Sequence, residues 1–140
     1  MYHSVMIIGY LGQDPTTKFL EGGSQVTNFS VATSRKWNNK DGSKGEETVW
    51  WRVAAWGRLG EVCSEYLAKG RLVMVKGQMK PDDKGNPRTF TRNDGSPGAS
   101  YEVTANEVKF LGGKGDGPSH DESDPGMPSS SDEDTASIPF

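Results

Sequence analysis

The side chains best suited to chemistry in this 140-residue sequence are aromatic and basic. Trp50, Trp51 and Trp56 occur within residues 48–56, a run of β-branched and aromatic residues that predicts a strand. Because side chains alternate across a strand, Trp50, Arg52 and Trp56 share one face, opposite a more apolar one. Two tryptophans flanking an arginine indicate single-stranded nucleic acid as the ligand, since every base has a face for stacking. The alternative is that the tryptophans fill the core or a subunit interface.

Trp37 stands at the head of a predicted polar loop, residues 36–47, where no core periodicity would bury it. Arg35 and Lys36 precede it directly. Interleaved aromatic and basic residues suit a phosphate backbone with stacked bases. This loop favours the binding interpretation over the core one, and Arg35, Lys36 and Arg52 are predicted phosphate contacts.

Phe90 repeats the combination in a second long predicted loop, residues 81–100, where it lies between Arg88 and Arg92. Loops of this length in a compact domain are usually functional or disordered. We therefore predict that Phe90 stacks on a base and that Arg88 and Arg92 contact phosphates. The alternative for Phe90 is a plug that anchors the loop.

The elements that position these residues are mainly strands. Strand-forming runs are predicted at residues 5–11, 25–34, 48–56, 71–79 and 101–111, and residues 16–20 could resume the first strand. One segment has helical spacing instead, with apolar residues at Leu59, Val62, Cys63, Tyr66 and Leu67. Gly70 stands where a left-handed C-terminal cap would lie. About five strands with a helix after the third predict an all-β, five-stranded OB-fold barrel with one α-helix, although other small barrels give similar patterns.

Charge is unevenly distributed along the chain. Residues 1–114 hold all 16 Lys and Arg and 12 acids, a net charge of +4, whereas residues 115–140 hold 7 acids and no Lys or Arg. Such asymmetry indicates nucleic-acid contact plus an interaction tail. From residue 112 the composition is Gly, Ser, Pro and acid, which cannot bury enough apolar surface to offset the entropy of ordering. We predict a folded domain at 1–111 and a disordered acidic tail at 112–140.

Several classes of protein are not expected from this composition. The single cysteine, Cys63, excludes an internal disulfide and a cysteine-cluster zinc site, and the two histidines, His3 and His120, stand far apart. No run is long and apolar enough for a membrane span. No catalytic constellation or phosphate-binding glycine loop is present, so we expect no enzyme, no cofactor and no metal.

Several motifs in register resemble the bacterial single-stranded-DNA-binding protein family. They are Gly9-Tyr10-Leu11-Gly12-Gln13-Asp14-Pro15, Val31-Ala32-Thr33, Glu47-Thr48-Val49-Trp50-Trp51-Arg52-Val53, Trp56-Gly57-Arg58-Leu59-Gly60-Glu61 and Tyr66-Leu67-Ala68-Lys69-Gly70. The resemblance runs from about residue 4 to 111 and resumes at Ile138-Pro139-Phe140, which is similar to the family's tail tip.

The resemblance implies roles for individual residues. Bases would stack at Trp37, Trp50 and Trp56, with Phe90 the best match for a further position. Members are typically homotetramers, which would pair here through the first strand, and Trp51 falls near a subunit contact of the family. The acidic tip, residues Asp132, Glu133, Asp134, Ile138, Pro139 and Phe140, would bind partner proteins, although Thr135-Ala136-Ser137 interrupts the acids that commonly reach the isoleucine.

Together these features predict a non-enzymatic protein of the bacterial cytoplasm, associated with the nucleoid. It would bind and protect single-stranded DNA with little sequence preference during replication, recombination and repair. It would also recruit replication and repair proteins through its tail. Two alternatives remain from the residues: an RNA-binding OB module, which would also read the 2′-hydroxyl, and an assembly subunit whose tryptophans build protein interfaces.

Overall fold

The computed structural model describes residues 1–112. The elements are β1 (Val5–Leu11), β2 (Thr16–Phe19), β3 (Gln25–Asn38), β4 (Lys44–Trp56), α1 (Gly57–Tyr66), β5 (Leu72–Met79), β6 (Thr89–Thr91), β7 (Pro97–Ala99) and β8 (Tyr101–Phe110). All of the predicted tail (112–140) except residue 112 lies outside the described residues, and so do its six predicted partner-binding residues. No helix in residues 1–112 has the length and apolar character needed to cross a membrane.

Five strands close into a barrel in the order β1-β5-β8-β4-β3, because β1 pairs with β5 on one side and with β3 on the other. Neighbours are antiparallel except β4 and β8, which run parallel. The short strand β2 extends the sheet beside β3. A Cβ on Gly9 would collide with the backbone of Ala32, so the crossing of β1 onto β3 requires glycine. The predicted all-β barrel with a single helix is confirmed.

The barrel core follows the two-residue period of its strands. Val31, Val53, Val73, Val75 and Val103 are all at most 1% exposed and come from β3, β4, β5 and β8. Branched side chains of this kind pack well on a pleated surface. The core thus holds the five strands in one register, and that register determines which side chains point outward.

The helix covers the barrel with its predicted apolar stripe, but it ends earlier than predicted. Cys63 and Leu67 are buried in the core cluster, whereas Tyr66 is exposed. Leu67 has extended backbone angles and ends the helix. Gly70 does have a positive φ of 86°, but it belongs to the following turn, in which the amide of Arg71 donates to the carbonyl of Ala68. The prediction of Gly70 as a helix cap was therefore wrong.

Both long predicted loops are largely hairpins. Residues 36–47 lie mostly in β3 and β4, which pair continuously out to Asn38 and Lys44. Within residues 81–100, β6 and β7 form a separate two-stranded sheet. The outer portions of β3 and β4, and the short strands β6 and β7, were missed because they bury little apolar surface. Hydrophobic alternation is therefore weak there, and pairing with the partner strand determines the conformation.

Candidate nucleic-acid interface

The outer face of β4 carries the predicted tryptophan–arginine row. Trp50 is 54% exposed and Trp56 is 42% exposed, and Arg52 between them is also exposed. Trp51 points the other way: it packs against the core cluster, its Nε1 donates to Oγ1 of Thr33 at 2.9 Å, and its ring meets another aromatic ring. Strand alternation thus separates one half-buried tryptophan from two that are free to stack.

Phe90 lies next to this row although it is 38 positions from Arg52 in the chain. The Arg52 guanidinium stands 5.0 Å from the centre of the Phe90 ring, and the Arg92 guanidinium stands 5.7 Å from it. Trp50, Arg52, Phe90 and Tyr101 line one cleft of about 580 Å³, a volume in the range of ligand sites. The fold therefore brings three of the predicted residues, from β4 and from β6, to one place.

Trp37 is separated from this group. It pairs with Gly45 at the outer end of the β3–β4 hairpin, and the register places it on the face opposite to Trp50, since Ala32 is the partner of Trp50. Its indole Nε1 donates to Oδ1 of Asn39 at 3.0 Å, and the Arg35 guanidinium stands 5.2 Å from its ring. Trp37 is 39% exposed and is available for stacking only at the hairpin.

Two of the predicted phosphate contacts are already engaged by carboxylates. Arg35 pairs with Glu47 at 3.1 Å, and the half-buried Arg88 approaches Glu102 at 3.7 Å while its Nε donates to the carbonyl of Pro81 at 3.2 Å. A phosphate must compete with these partners for the guanidinium groups.

The remaining predicted phosphate contacts are less constrained by acids. Lys36 is exposed and faces Glu46 across the hairpin, and Arg92 donates to the carbonyl of Pro97. No carboxylate in the described residues forms an ion pair with Arg52. The Arg52 and Arg92 guanidinium groups thus both meet the Phe90 ring without an acid partner in the described residues, and that of Arg92 is also engaged by a backbone carbonyl.

Two basic residues of the same face were missed in the sequence. Lys18 of β2 and Lys80, directly after β5, line a second cleft of about 350 Å³ together with Arg52. Lys18 pairs with Val26, which in turn pairs with Trp56, so it lies beside the end of the tryptophan row. The sequence signal for Lys18 is the side-chain alternation of β2, whereas nothing local in the sequence relates Lys80 to Arg52.

The titratable groups with shifted pKa values lie in the hairpin turns or in the core, and they do not form a reactive centre. Hydrogen bonds from the hydroxyl and the amide of Ser43 lower the pKa of Asp41, and those of Ser96 do the same for Asp94. Both aspartates lie in the turns of the two hairpins. Burial raises the pKa of the Cys63 thiol to about 11, so this thiol is protonated at neutral pH. Within residues 1–112, His, Cys, Asp and Glu form no group of three that could hold a metal ion.

A closed five-stranded barrel with one helix and exposed aromatic and basic residues on one sheet face defines an OB-fold protein with a nucleic-acid-type surface. The family described as "Single-strand binding protein family" matches residues 2–111. The chain belongs to this family, which confirms the resemblance found in the motifs.

Relatives and solved structures agree with this assignment. The chain is 39% identical over 115 residues to the single-stranded DNA-binding protein of Xanthomonas axonopodis pv. citri, covering 82% of this chain and 61% of the relative. It is 38% identical over 112 residues to that of Neisseria meningitidis serogroup A, covering 80% and 61%. The chain thus spans about three fifths of the length of these relatives.

Two solved structures share the fold. The Plasmodium falciparum SSB complex with ssDNA matches with a TM-score of 0.64 at 27% identity, covering 80% of this chain and 96% of that one. The small single-stranded DNA-binding protein from Streptomyces coelicolor matches with a TM-score of 0.64 at 23% identity, covering 78% and 94%, and this second likeness concerns the fold alone.

Proposed function

We propose that this chain binds single-stranded DNA with little sequence preference and performs no catalysis. The observation that carries the proposal is the cluster of Trp50, Arg52 and Phe90 around one cleft, with a solvent-exposed ring from each of two separate elements. Exposed indole and phenyl rings are unfavourable in water unless a ligand covers them, and a base stacked on a ring contributes about 1–3 kcal/mol. The relationship to a protein solved with ssDNA supports the same ligand.

Low sequence preference follows from the chemistry of the surface. Stacking uses the face of a base, which all four bases possess, rather than the edge that distinguishes them. Arg52 is the first phosphate contact we assign, because it lines both clefts of this face and no acid within the described residues pairs with its guanidinium. Arg35, Lys36, Arg88 and Arg92 are further candidates. A protein of this kind would shield single strands during replication, recombination and repair in the bacterial cytoplasm, at the nucleoid.

Tryptophan emission tests the proposal. The protein is titrated with poly-dT, with poly-rU of matched length and with a duplex, at low and high salt. We expect strong quenching by poly-dT, weaker quenching by poly-rU and little by duplex, with affinity falling as salt rises. Emission unchanged by all three would assign the exposed tryptophans to a protein interface and refute the proposal. Stronger binding of poly-rU would favour an RNA-binding module.

We also propose that the protein is a homotetramer that associates through β1. The outward side chains Met6, Ile8 and Tyr10 of β1 are 62%, 48% and 55% exposed, and Met74 of β5 pairs with Ile8 beside them. An apolar row of this kind on a barrel surface is typical of a subunit contact. Sedimentation equilibrium should give four times the chain mass, and Ile8→Lys should lower it. A monomeric wild-type protein would refute this assembly.

The acidic tip is proposed to recruit replication and repair proteins. Support comes from composition: Ile138, Pro139 and Phe140 stand three residues beyond a run of acids and would suit an apolar pocket rimmed by Lys or Arg. A synthetic peptide of residues 131–140 should compete with the full chain for such a partner, and removal of residues 138–140 should abolish partner binding while DNA binding persists. Equal partner binding by the shortened chain would contradict the proposal.

A further inference from the structure

Three of the four predicted stacking rings lie against a glycine. A Cβ built on Gly45 would overlap Cε2 and Nε1 of the Trp37 indole, and Gly45 is the residue directly across the hairpin from Trp37. In the second hairpin, Gly98 is directly across from Phe90, and its Cβ would stand 2.7 Å from Cζ of that ring. Both glycines therefore leave open the volume that the ring of the partner residue occupies.

The third ring repeats the arrangement without being a cross-strand partner. Gly12 follows β1, and its amide donates to the carbonyl of Ser30 at 3.1 Å, beside the β3–β4 pair. A Cβ on Gly12 would stand 2.8 Å from Cη2 of Trp50 and would overlap Cζ3. Three separate segments of the chain thus each place a glycine against an aromatic ring.

Other glycines of the barrel have different surroundings. A Cβ on Gly9 or Gly77 would meet backbone atoms of a neighbouring strand, which makes these glycines requirements of barrel closure. No glycine among residues 1–111 meets the Trp56 ring in this way: the residue after it, Gly57, has open space around its Cβ position, and Trp56 pairs with the buried Val26 instead. The glycine contact therefore distinguishes three of the four rings and is no general feature of this sheet.

We propose that Gly12, Gly45 and Gly98 are positioning residues for DNA binding, each a seat that holds one aromatic ring with its remaining surface open to a base. The inference rests on the proposed function for its ligand. None of the three glycines has a positive φ, so their backbone conformation does not require glycine. What requires glycine is the ring: a methyl group there displaces the exposed end of the ring while the strand keeps its path. Glycine also weakens a strand interior relative to alanine, a disadvantage that ring placement offsets.

Gly45→Ala gives the sharpest test because Gly45 lies in the outer part of the β3–β4 hairpin. The substitution is combined with Trp37→Ala in a double-mutant cycle, and binding of dT oligomers is measured for all four proteins. Removal of one stacking ring corresponds to a loss of about 5- to 140-fold in affinity, at about 1.4 kcal/mol per tenfold. Gly45→Ala displaces the ring without removing it, so it should cost part of this contribution and lower affinity by about threefold or more. In the Trp37→Ala background it should change affinity by less than a factor of about 1.5.

A measurement without DNA separates this inference from the proposed function. Gly45→Ala should alter the tryptophan emission of the free protein, and the alteration should disappear when Trp37 is replaced. Emission unaffected by Gly45→Ala would overturn the seat whether or not the protein binds DNA. An affinity loss of equal size with and without Trp37 would overturn it as well. If poly-dT leaves wild-type emission unchanged and does not bind, the proposed function fails while the emission test of the seat still stands.

A second variant guards against a folding defect. Urea unfolding of Gly45→Ala should show an unchanged or higher midpoint, since alanine is the better strand residue. If the midpoint falls, the cycle is repeated with Gly98→Ala and Phe90→Ala, in the separate β6–β7 sheet. The affinity loss caused by Gly98→Ala should vanish in the Phe90→Ala background. If the affinity losses of Gly98→Ala and Phe90→Ala were additive, the role of Gly98 as a seat for the Phe90 ring would be refuted too.

Discussion

The ion pair between Arg35 and Glu47 makes a quantitative prediction about DNA binding. Its two charged groups are 3.1 Å apart, with side chains 72% and 53% exposed. Glu47 also lines the cleft that contains Trp50 and Phe90. Replacement Glu47→Gln removes one negative charge from the cleft and releases Arg35 for a phosphate. The expected result is tighter binding of single-stranded DNA, with a steeper dependence on salt.

The size of the effect follows from the exposure of the pair. Exposed ion pairs contribute about 0.2–1 kcal/mol because solvent and salt screen them. Removing the competition from Glu47 should therefore raise affinity by about 1.4- to 5-fold at low salt, at about 1.4 kcal/mol per tenfold. Each additional phosphate contact on a single strand changes the slope of log K against log salt by about −0.7.

The assay is fluorescence titration with a dT oligomer at several salt concentrations. Glu61→Gln is a matched control, since Glu61 pairs with Arg58 at 3.0 Å with side chains 48% and 83% exposed, and neither residue lines a cleft of the tryptophan face. The control should leave both affinity and slope unchanged. A salt-dependence slope for Glu47→Gln equal to that of the wild type would refute the release of Arg35 for a phosphate. Weaker binding would refute the idea that the negative charge of Glu47 opposes DNA binding.

Three further outcomes follow from the structure. Trp50→Ala and Trp56→Ala should each weaken single-stranded DNA binding by about 5- to 140-fold through the loss of one stacked base. Thr27→Val should lower the free energy of unfolding by about 1–3 kcal/mol in urea, because the fully buried Thr27 hydroxyl donates to the carbonyl of Gly60 at 2.8 Å. Burial raises the pKa of Cys63 from 9.0 to about 11, so the unfolded chain loses its thiol proton first and the free energy of unfolding should fall as pH rises from 9 to 11.

Each of these outcomes has its own control. Tyr66→Ala removes an exposed ring from the helix, which lines neither cleft of the tryptophan face, and should leave DNA affinity unchanged. Thr16→Val, on the exposed strand β2, should leave the urea midpoint unchanged, and an equal fall in both threonine variants would contradict the role of the Thr27 hydrogen bond. Cys63→Ala should lack the alkaline loss of stability, and an identical pH dependence in that variant would assign the loss to other groups.

Much of the fold could be predicted from the sequence because strand and helix periods are local. The limits of β1 were predicted without error at 5–11, and the inner parts of β3, β4, β5 and β8 were recognised from alternating apolar residues. The hairpin strands around Trp37 and Phe90 were not, since their side chains are mostly exposed and leave no hydrophobic alternation to read. Gly70 was interpreted as the helix cap for a different reason: a glycine after an apolar stripe indicates a left-handed residue without indicating whether it caps the helix or belongs to the next turn.

The sequence by itself determined that Trp50, Arg52 and Trp56 share one face, because side chains alternate along a single strand whatever its neighbouring strands are. Only the tertiary structure decided that Phe90 lies beside Arg52, and that Trp37 occupies the opposite face of its hairpin. The same holds for the glycines under the rings. These relations depend on cross-strand register and barrel closure, which join residues far apart in the chain. A strand carries the period of its own side chains, but its neighbours are set by the packing of the whole barrel.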